Sequence, residues 1–229
     1  LLSCDYSQVE LRLLAHMSED PELIGAFARD EDVHATTAAA VLSVPLAEVT
    51  KEQRALAKAI NFGLMYGMSD FGLSARTDLS VGEASKFTAA YFARFKRVKQ
   101  YLDEIKAFAR EHGYVETVLG RRRYFPELQN RSTAAVLRQR AERAAVNMPI
   151  QGSAADIIKL AMIEIDRSLA AKFKTRMILQ VHDELVFEVP HGELEHVRQA
   201  IVGIMEHAMP LRVPVQVGTA TGSNWMEMN

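Results

Sequence analysis

The sequence predicts an α+β fold in which a small antiparallel sheet is interrupted by a long helical insertion. Three observations carry that expectation. Strand-like apolar runs lie near the two ends, at 1–6, 176–189 and 213–219. The residues between them show mostly helical spacing of apolar positions. The 176–189 run reads as two strands meeting at His182-Asp183, so chain reversal, and with it antiparallel pairing, is built into it.

Taken in order, residues 1–6 read as a buried strand. From Gln8 to about Val49 the pattern is helical and short-segmented, with breaks at Asp20-Pro21 and Val44-Pro45. Thr50 is placed to cap the next helix, with Gln53 three residues on to complete a capping box. One long amphipathic stretch is expected from Ser80 to about His112. "GYVETVLGRRRYFP" reads as two short strands around the Leu119-Gly120 turn. Helices are expected over 131–147 and 151–172, then the 176–189 hairpin, a helix over 191–208 and a last strand over 213–219. Neither an internal repeat nor a low-complexity segment is present.

Composition sets wide bounds. With 229 residues, 48% of them hydrophobic, the chain can bury a sizeable core as one large domain or two smaller ones. A net charge of -2 neither favours nor excludes a nucleic-acid partner, since a basic patch can hide in a neutral total. The single cysteine, Cys4, excludes an internal disulfide framework and suits a reducing, cytoplasmic setting. No apolar run approaches the roughly 18 residues of a membrane helix, so no membrane partner is expected. The chain opens on strand-like residues without a methionine, which reads as a piece of a longer protein.

Three constellations could carry chemistry. In "ILQVHDELVFEV" (178–189) the acids Asp183 and Glu184 sit inside an apolar run, where they are costly without a partner or a metal. Asp5 alone reads most simply as an N-cap for the following helix. If its strand lies beside the hairpin, however, two carboxylates meet, each raising the other's pKa unless a cation intervenes. Mg²⁺, which takes one or two carboxylates plus substrate phosphates, suits such a pair. Second, Arg54, Lys58, Phe62 and Tyr66 recur every four residues and so fall on one helix stripe. A solvated face explains the cations but not the aromatics; a surface that grips phosphates and stacks a base explains both. Third, Arg143, Asn147 and Gln151 repeat the spacing, in a region where 121–143 holds seven arginines against Glu127 and Glu142. A charged exposed helix and a minor-groove contact surface account for them equally well.

Weaker signals have plain readings. "HGELEH" (191–196) does not have the HExxH spacing of a zinc site and begins a surface helix. "GTATG" is a poor match to a nucleotide loop. Cys4 reads as a small buried packing residue. His182 lacks further Cys or His at zinc-ligand spacing.

"DYSQVELRLLAH", "RALAKAINFGLMYG" and "QVHDELVFE", in that order, resemble motifs A, B and C of family A DNA polymerases, the bacterial DNA polymerase I group. "GYVETVLGRRRYFP" and "ERAAVNMPIQGSAADIIKLAM" extend the resemblance over essentially the whole chain. The resemblance implies a template-directed DNA polymerase that joins dNTPs to a primer 3′-hydroxyl in DNA replication and repair. It implies that Asp5, Asp183 and the backbone carbonyl of Tyr6 hold two Mg²⁺ ions, with Glu184 as a supporting carboxylate. Arg54 and Lys58 would grip the triphosphate with His34 assisting, and Phe62 would lie against the incoming sugar and base. Glu10 with Tyr66 would exclude a ribose 2′-hydroxyl, with Ser7 and Gln8 beside it. Arg143, Asn147, Gln151, Gln180 and His182 would follow the primer–template minor groove.

By the same resemblance, residues 1–23 and 131–229 form a palm and 24–130 the fingers, acting as a monomer. Nothing in the chain corresponds to the family's thumb, so the 229 residues alone are expected to bind primer–template weakly and extend it poorly. Two rival readings stand beside this one. A single-subunit RNA polymerase is disfavoured by Glu10, and a catalytically silent DNA-binding remnant by intact Asp5, Asp183, Lys58 and Arg54.

Overall fold

The computed structural model describes residues 1–228. In chain order the elements are β1 (Leu2–Tyr6), α1 (Val9–Ser18), α2 (Pro21–Ala28), α3 (Val33–Leu42), α4 (Lys51–Met65), α5 (Asp70–Ser74), α6 (Val81–Arg94) and α7 (Lys96–His112). There follow β2 (Tyr114–Glu116), β3 (Arg122–Tyr124), α8 (Pro126–Gln129), α9 (Ala135–Leu169), β4 (Arg176–Val181), β5 (Glu184–Glu188), α10 (Leu194–His207) and β6 (Val217–Thr221). The α+β expectation holds: helices dominate, and a small antiparallel sheet joins β1 to strands from the far end of the chain. Two compact units result. One comprises Leu1–Leu13 with the residues from Gly152 onward, the other Leu14–Gln151.

The first unit is a four-stranded sheet in the order β4-β5-β1-β6, with β1 antiparallel to both β5 and β6. Alternation along β1 decides its two faces. Leu2, Cys4 and Tyr6 are buried and pack with Leu185, Phe187 and α10 residues Val197, Ile201 and Met205 in one core. The Tyr6 hydroxyl donates to the Met205 carbonyl at 2.8 Å, which satisfies a phenol that burial would otherwise leave costly. Ser3 and Asp5 take the opposite face. The expected strand over 213–219 is found at 217–221 instead. Pro214 cannot donate to a ladder, and its carbonyl, with the Gln216 side chain, is taken up by the guanidinium of Arg12.

The second unit is helical apart from the β2–β3 hairpin. The Thr50–Gln53 capping box at the head of α4 forms as expected. Two other expectations fail. The single stretch over 80–112 is two helices parted at Phe95, whose ring is buried against Tyr91 with centroids 4.9 Å apart. The Asp20 carboxylate caps α2 and also accepts from the Arg97 amide at 3.0 Å, so a residue remote in sequence satisfies the start of α7. The two helices expected over 131–147 and 151–172 are one helix, α9, that continues through Pro149. Ala145, Val146, Met148 and Ile150 around it are all buried, and that burial outweighs the loss of one backbone hydrogen bond. The hairpin rests on α7 and α9 through Val115, Phe125, Ala109, Ala141, Ala145 and Met148. Among the described residues no helix is long and apolar enough to cross a membrane.

Candidate active site

In the first unit, strand pairing makes an acidic cleft. Asp5 lies opposite Glu184 in the β1–β5 ladder, and β4 and β5 turn at His182-Asp183. His182 adopts a left-handed backbone, φ 52°, a conformation that costs a residue with a side chain of the order of 1 kcal/mol or more. The turn is tied to β1 where the Tyr6 amide donates to the Asp183 carbonyl at 3.2 Å. On the other side of β1, Asp5 faces Gly218, which puts no side chain in its way. Asp5, His182, Asp183, Glu184 and Gly218, with Ser3, Val181, Thr219, Ala220 and Met228, line a cleft of about 410 Å³.

The carboxylates are electrostatically frustrated. The Asp5 pKa is pushed up to about 6, first by burial, then by the charges of Asp183 and Glu184 and a hydrogen bond shared with Asp183. The reading of Asp5 as a helix N-cap is thereby overturned: it lies inside β1, and α1 begins only at Val9. Glu184 is held differently. Its Oε1 accepts from Ser3 Oγ at 2.5 Å and from Trp225 Nε1 at 3.2 Å. The donor set fits Mg²⁺. Two carboxyl groups lie close enough to share a proton, their repulsion calls for a cation, and the cleft leaves room for further oxygen ligands. Among the described residues no three His, Cys, Asp or Glu side chains form a metal cage of their own. That is compatible with an ion completed by substrate phosphates.

The rest of the first unit's expected residues are arranged around β1 and its exit. Ser7 donates its amide to the Gln216 carbonyl at 2.9 Å and accepts from Arg12 Nε at 2.8 Å. Gln8 has φ 54° and leads into α1, whose first turn carries half-buried Glu10. His182 and Gln180 are exposed. The Gln180 amide donates to the His182 carbonyl at 2.7 Å, which braces the turn. Cys4 is fully buried, and burial pushes its thiol pKa up to about 12, consistent with packing rather than reactivity.

In the second unit, α4 sorts its side chains as the four-residue spacing requires. Ala57, Ile60, Asn61, Leu64 and Met65 are buried, Lys58 is exposed, and Arg54, Phe62 and Tyr66 are half-buried. Phe62 and Tyr66 stack with centroids 6.3 Å apart, and His34 on α3 lies 5.7 Å from Phe62. Arg54 Nε donates to Asp32 at 2.5 Å. Burial alone would raise the Asp32 pKa, but the Arg54 bond and the amides of Ala35 and His34 outweigh it and hold the carboxyl below its usual range. His34 is buried and its pKa is lowered to about 4, chiefly by burial, with Arg54 and Lys58 adding to the shift and Asp32 opposing it. On α9, Arg143 and Gln151 are exposed. The Asn147 side-chain amide faces the carbonyls of Tyr66 and Arg143, and with its nitrogen turned toward them it donates to both, at 3.2 Å and 3.3 Å, tying the end of α4 to α9.

Sequence reading missed several contributors. Ser3 and Trp225, which hold Glu184, become visible only once β1 and the C-terminal segment are paired. Asp32 could have been read as the N-cap of α3, but its hold on Arg54 could not. Asn61, fully buried on α4, carried one signal: an amide among apolar neighbours.

The sequence profile of DNA polymerase family A matches residues 1–227. The chain is 49% identical over 228 residues to DNA polymerase I of Caldicellulosiruptor bescii, covering 99% of this chain and 27% of that protein. It is 50% identical over 226 residues to DNA polymerase I of Mycobacterium bovis, covering 98% of this chain and 25% of the relative. The chain thus spans about a quarter of the length of these relatives. Among solved structures, the POL domain of Pol1 from M. smegmatis, in complex with DNA primer-template and dNTP, superposes with a TM-score of 0.94 at 46% identity, over 99% of this chain and 40% of that one. Profile, relatives and fold agree, and the chain belongs to DNA polymerase family A.

Proposed function

We propose that this chain is the catalytic part of a template-directed DNA polymerase that extends a primer 3′-hydroxyl with dNTPs in DNA replication and repair. Its partners would be primer–template DNA and dNTPs, the ligands of the M. smegmatis relative. In this reading residues 1–23 and 131–229 serve as palm and 24–130 as fingers. The observation that carries it is the Asp5–Asp183 carboxyl pair at the mouth of an open cleft, with the Asp5 pKa raised to about 6. Paired acids that repel one another need a cation, and a nucleotidyl transfer supplies the phosphates that complete its coordination.

Two Mg²⁺ ions held by Asp5, Asp183 and the Tyr6 backbone carbonyl would supply the charge that activates the primer hydroxyl and stabilises departing pyrophosphate. The remaining work falls to the chain's own residues. Ser3 and Trp225 fix Glu184, so its charge adds to the negative field that draws a cation to the pair without competing for the same position. Lys58 and Arg54 neutralise the triphosphate, and neutral His34 donates a hydrogen bond to it. Phe62 packs on the incoming sugar and base, while Glu10 and Tyr66 deny space to a 2′-hydroxyl, with Ser7 and Gln8 shaping the same strand exit. Arg143, Asn147, Gln151, Gln180 and His182 contact the minor groove, where pair shape is sensed without reading sequence. The primer 3′-oxygen bonds to the α-phosphorus as the bond to pyrophosphate breaks, and the product is a primer one nucleotide longer.

The test is single-turnover primer extension by the full-length protein. Asp183→Ala is expected to lower the extension rate by roughly 1,000-fold or more, the several kcal/mol that metal charge stabilisation provides, while primer–template affinity by fluorescence anisotropy stays near that of the unaltered protein. Near-normal extension would remove the carboxylate pair from the reaction. Wild-type use of rNTPs as readily as dNTPs would favour the RNA polymerase reading.

A further inference from the structure

Asn61 on α4 is fully buried, yet its side chain is an amide. Its Nδ2 lies 3.0 Å from His34 Nδ1 and 3.3 Å from Thr37 Oγ1. Its Oδ1 is buried with no hydrogen-bond partner among the described residues. A leucine shares the branched outline without that orphaned oxygen, so stability alone is a poor explanation for an amide here. The nitrogen end is the informative one.

The Thr37 hydroxyl has a single proton, and it goes to the Val33 carbonyl 2.6 Å away. Toward Asn61, Thr37 Oγ1 can therefore only accept. The Asn61 atom facing it must be the amide nitrogen, which fixes the orientation of a group that could otherwise be turned end for end. That nitrogen's second hydrogen points to His34 Nδ1, which must then be unprotonated. A neutral imidazole with an accepting Nδ1 carries its hydrogen on Nε2. His34 Nε2 has no hydrogen-bond partner among the described residues.

We propose that Asn61 is a positioning residue: through the relay Val33–Thr37–Asn61 it holds His34 as the Nε2–H tautomer, which presents one fixed donor to a phosphate oxygen of the incoming nucleotide. The identity of that anion rests on the polymerase reading; the tautomer does not. Charges facing the ring agree with this state. Arg54 and Lys58 on α4 oppose its protonation, Asp32 at the head of α3 favours it, and burial prevails in keeping it neutral. A neutral, oriented donor avoids the desolvation cost of a third cation beside Arg54 and Lys58.

The first measurement is ¹⁵N NMR of the full-length protein labelled at histidine, with His34 identified from the signal lost in His34→Gln. A neutral ring at pH 7 with the hydrogen on Nε2 is expected; a hydrogen on Nδ1 would overturn the relay. The second is single-turnover incorporation of dCTP. Asn61→Leu should weaken apparent dCTP affinity roughly tenfold, as for one lost hydrogen bond to a charged group, with a much smaller change in the rate at saturation. If Asn61→Leu does not fold, Thr37→Val carries the test, since it frees the amide to turn and should mix the two tautomers. Unchanged dCTP affinity in folded Asn61→Leu, with affinity lowered in His34→Ala, would overturn the positioning role. Unchanged affinity in His34→Ala itself would overturn the phosphate contact and the reading beneath it, and the NMR result separates that failure from a wrong tautomer.

Discussion

Ser3 and Glu184 stand 181 positions apart in the chain and 2.5 Å apart at their side chains, whereas Arg54, Lys58, Phe62 and Tyr66 need only the repeat of one helix to share a face. The first unit assembles its acids by long-range strand pairing. Asp5 faces Glu184 because β1 and β5 are in register, and Asp183 joins them because the hairpin turns at that point. The second unit assembles its cations and aromatics locally, on α4 behind its own capping box. Both units hold a titratable group away from its ordinary pKa, but in opposite senses. Asp5 is raised by burial and like charge, while His34 is lowered by burial beside cations. One unit gathers the negative charge that a cation would meet, and the other carries the cations that an anion would meet.

The most forceful way to sharpen that contrast is acid. His34 titrates near 6.5 when unfolded and at about 4 when folded. Between those values the unfolded chain binds more protons, so the second unit's stability rises with pH across the window and falls as pH drops through it. The contribution is fully present above about 6.5 and is lost progressively toward 4, by up to roughly 3 kcal/mol at the far end. Chemical denaturation at pH 7.5, 6 and 5 should show the loss, and His34→Gln should flatten it. A His34→Gln profile as steep as that of the unaltered protein would mean that His34 is not held neutral.

That contrast also explains how much the sequence alone revealed. The four-residue stripe on α4 and its Thr50 cap were legible because every cue lies within one helix. The His182-Asp183 turn was legible because two strand-like runs flank it. Phe95 was not. Residues 80–112 keep helical spacing throughout, and only the burial of that ring and the reach of Asp20 to the Arg97 amide break the helix there. Pro149 misled in the opposite direction, since a local helix breaker lies inside a segment whose burial keeps α9 continuous. Of the site, residue types that carry charge could be named from their patterns. The groups that hold them in place (Ser3, Trp225, Asp32 and Asn61) could not, because each acts through a contact outside its own element.

A second break targets the cations directly. Lys58 is exposed on α4 and Arg54 is paired with Asp32, so the two should not contribute equally. Lys58→Ala is expected to weaken apparent dNTP affinity by roughly 10- to 100-fold, the worth of one hydrogen bond to a charged group, while thermal stability hardly changes at an exposed position. Arg54→Ala removes the proposed phosphate ligand and also strands Asp32, so it should lower both affinity and melting temperature. Asp32→Asn separates the two effects: it keeps the guanidinium but loosens its hold. If Lys58→Ala and Arg54→Ala prove equivalent in both measurements, the Asp32 pairing does not distinguish them.

The smallest expected effect tests whether local assembly is what the second unit depends on. Thr50 accepts from the Gln53 amide at 3.2 Å while Gln53 Oε1 accepts from the Thr50 amide at 2.9 Å, a reciprocal cap at an exposed helix start. Thr50→Ala leaves the Gln53 amide without its partner and should cost about 1 kcal/mol, or roughly 2–4 °C in melting temperature for a chain of this size. The consequence for function follows from position. Arg54 lies one turn beyond the cap, and its amide bonds to the Thr50 carbonyl at 3.0 Å. Fraying of the first turn loosens Arg54 while leaving Lys58, Phe62 and Tyr66 on the intact remainder of α4. Apparent dNTP affinity should therefore fall slightly with little change in the rate at saturation. The cap and the carboxyl pair are expected to act independently, so the Asp183→Ala defect should be no deeper in the double variant. If Thr50→Ala instead lowers the saturating rate as much as it lowers affinity, α4 positions more than the triphosphate, and the division of labour between the two units is less clean than their construction suggests.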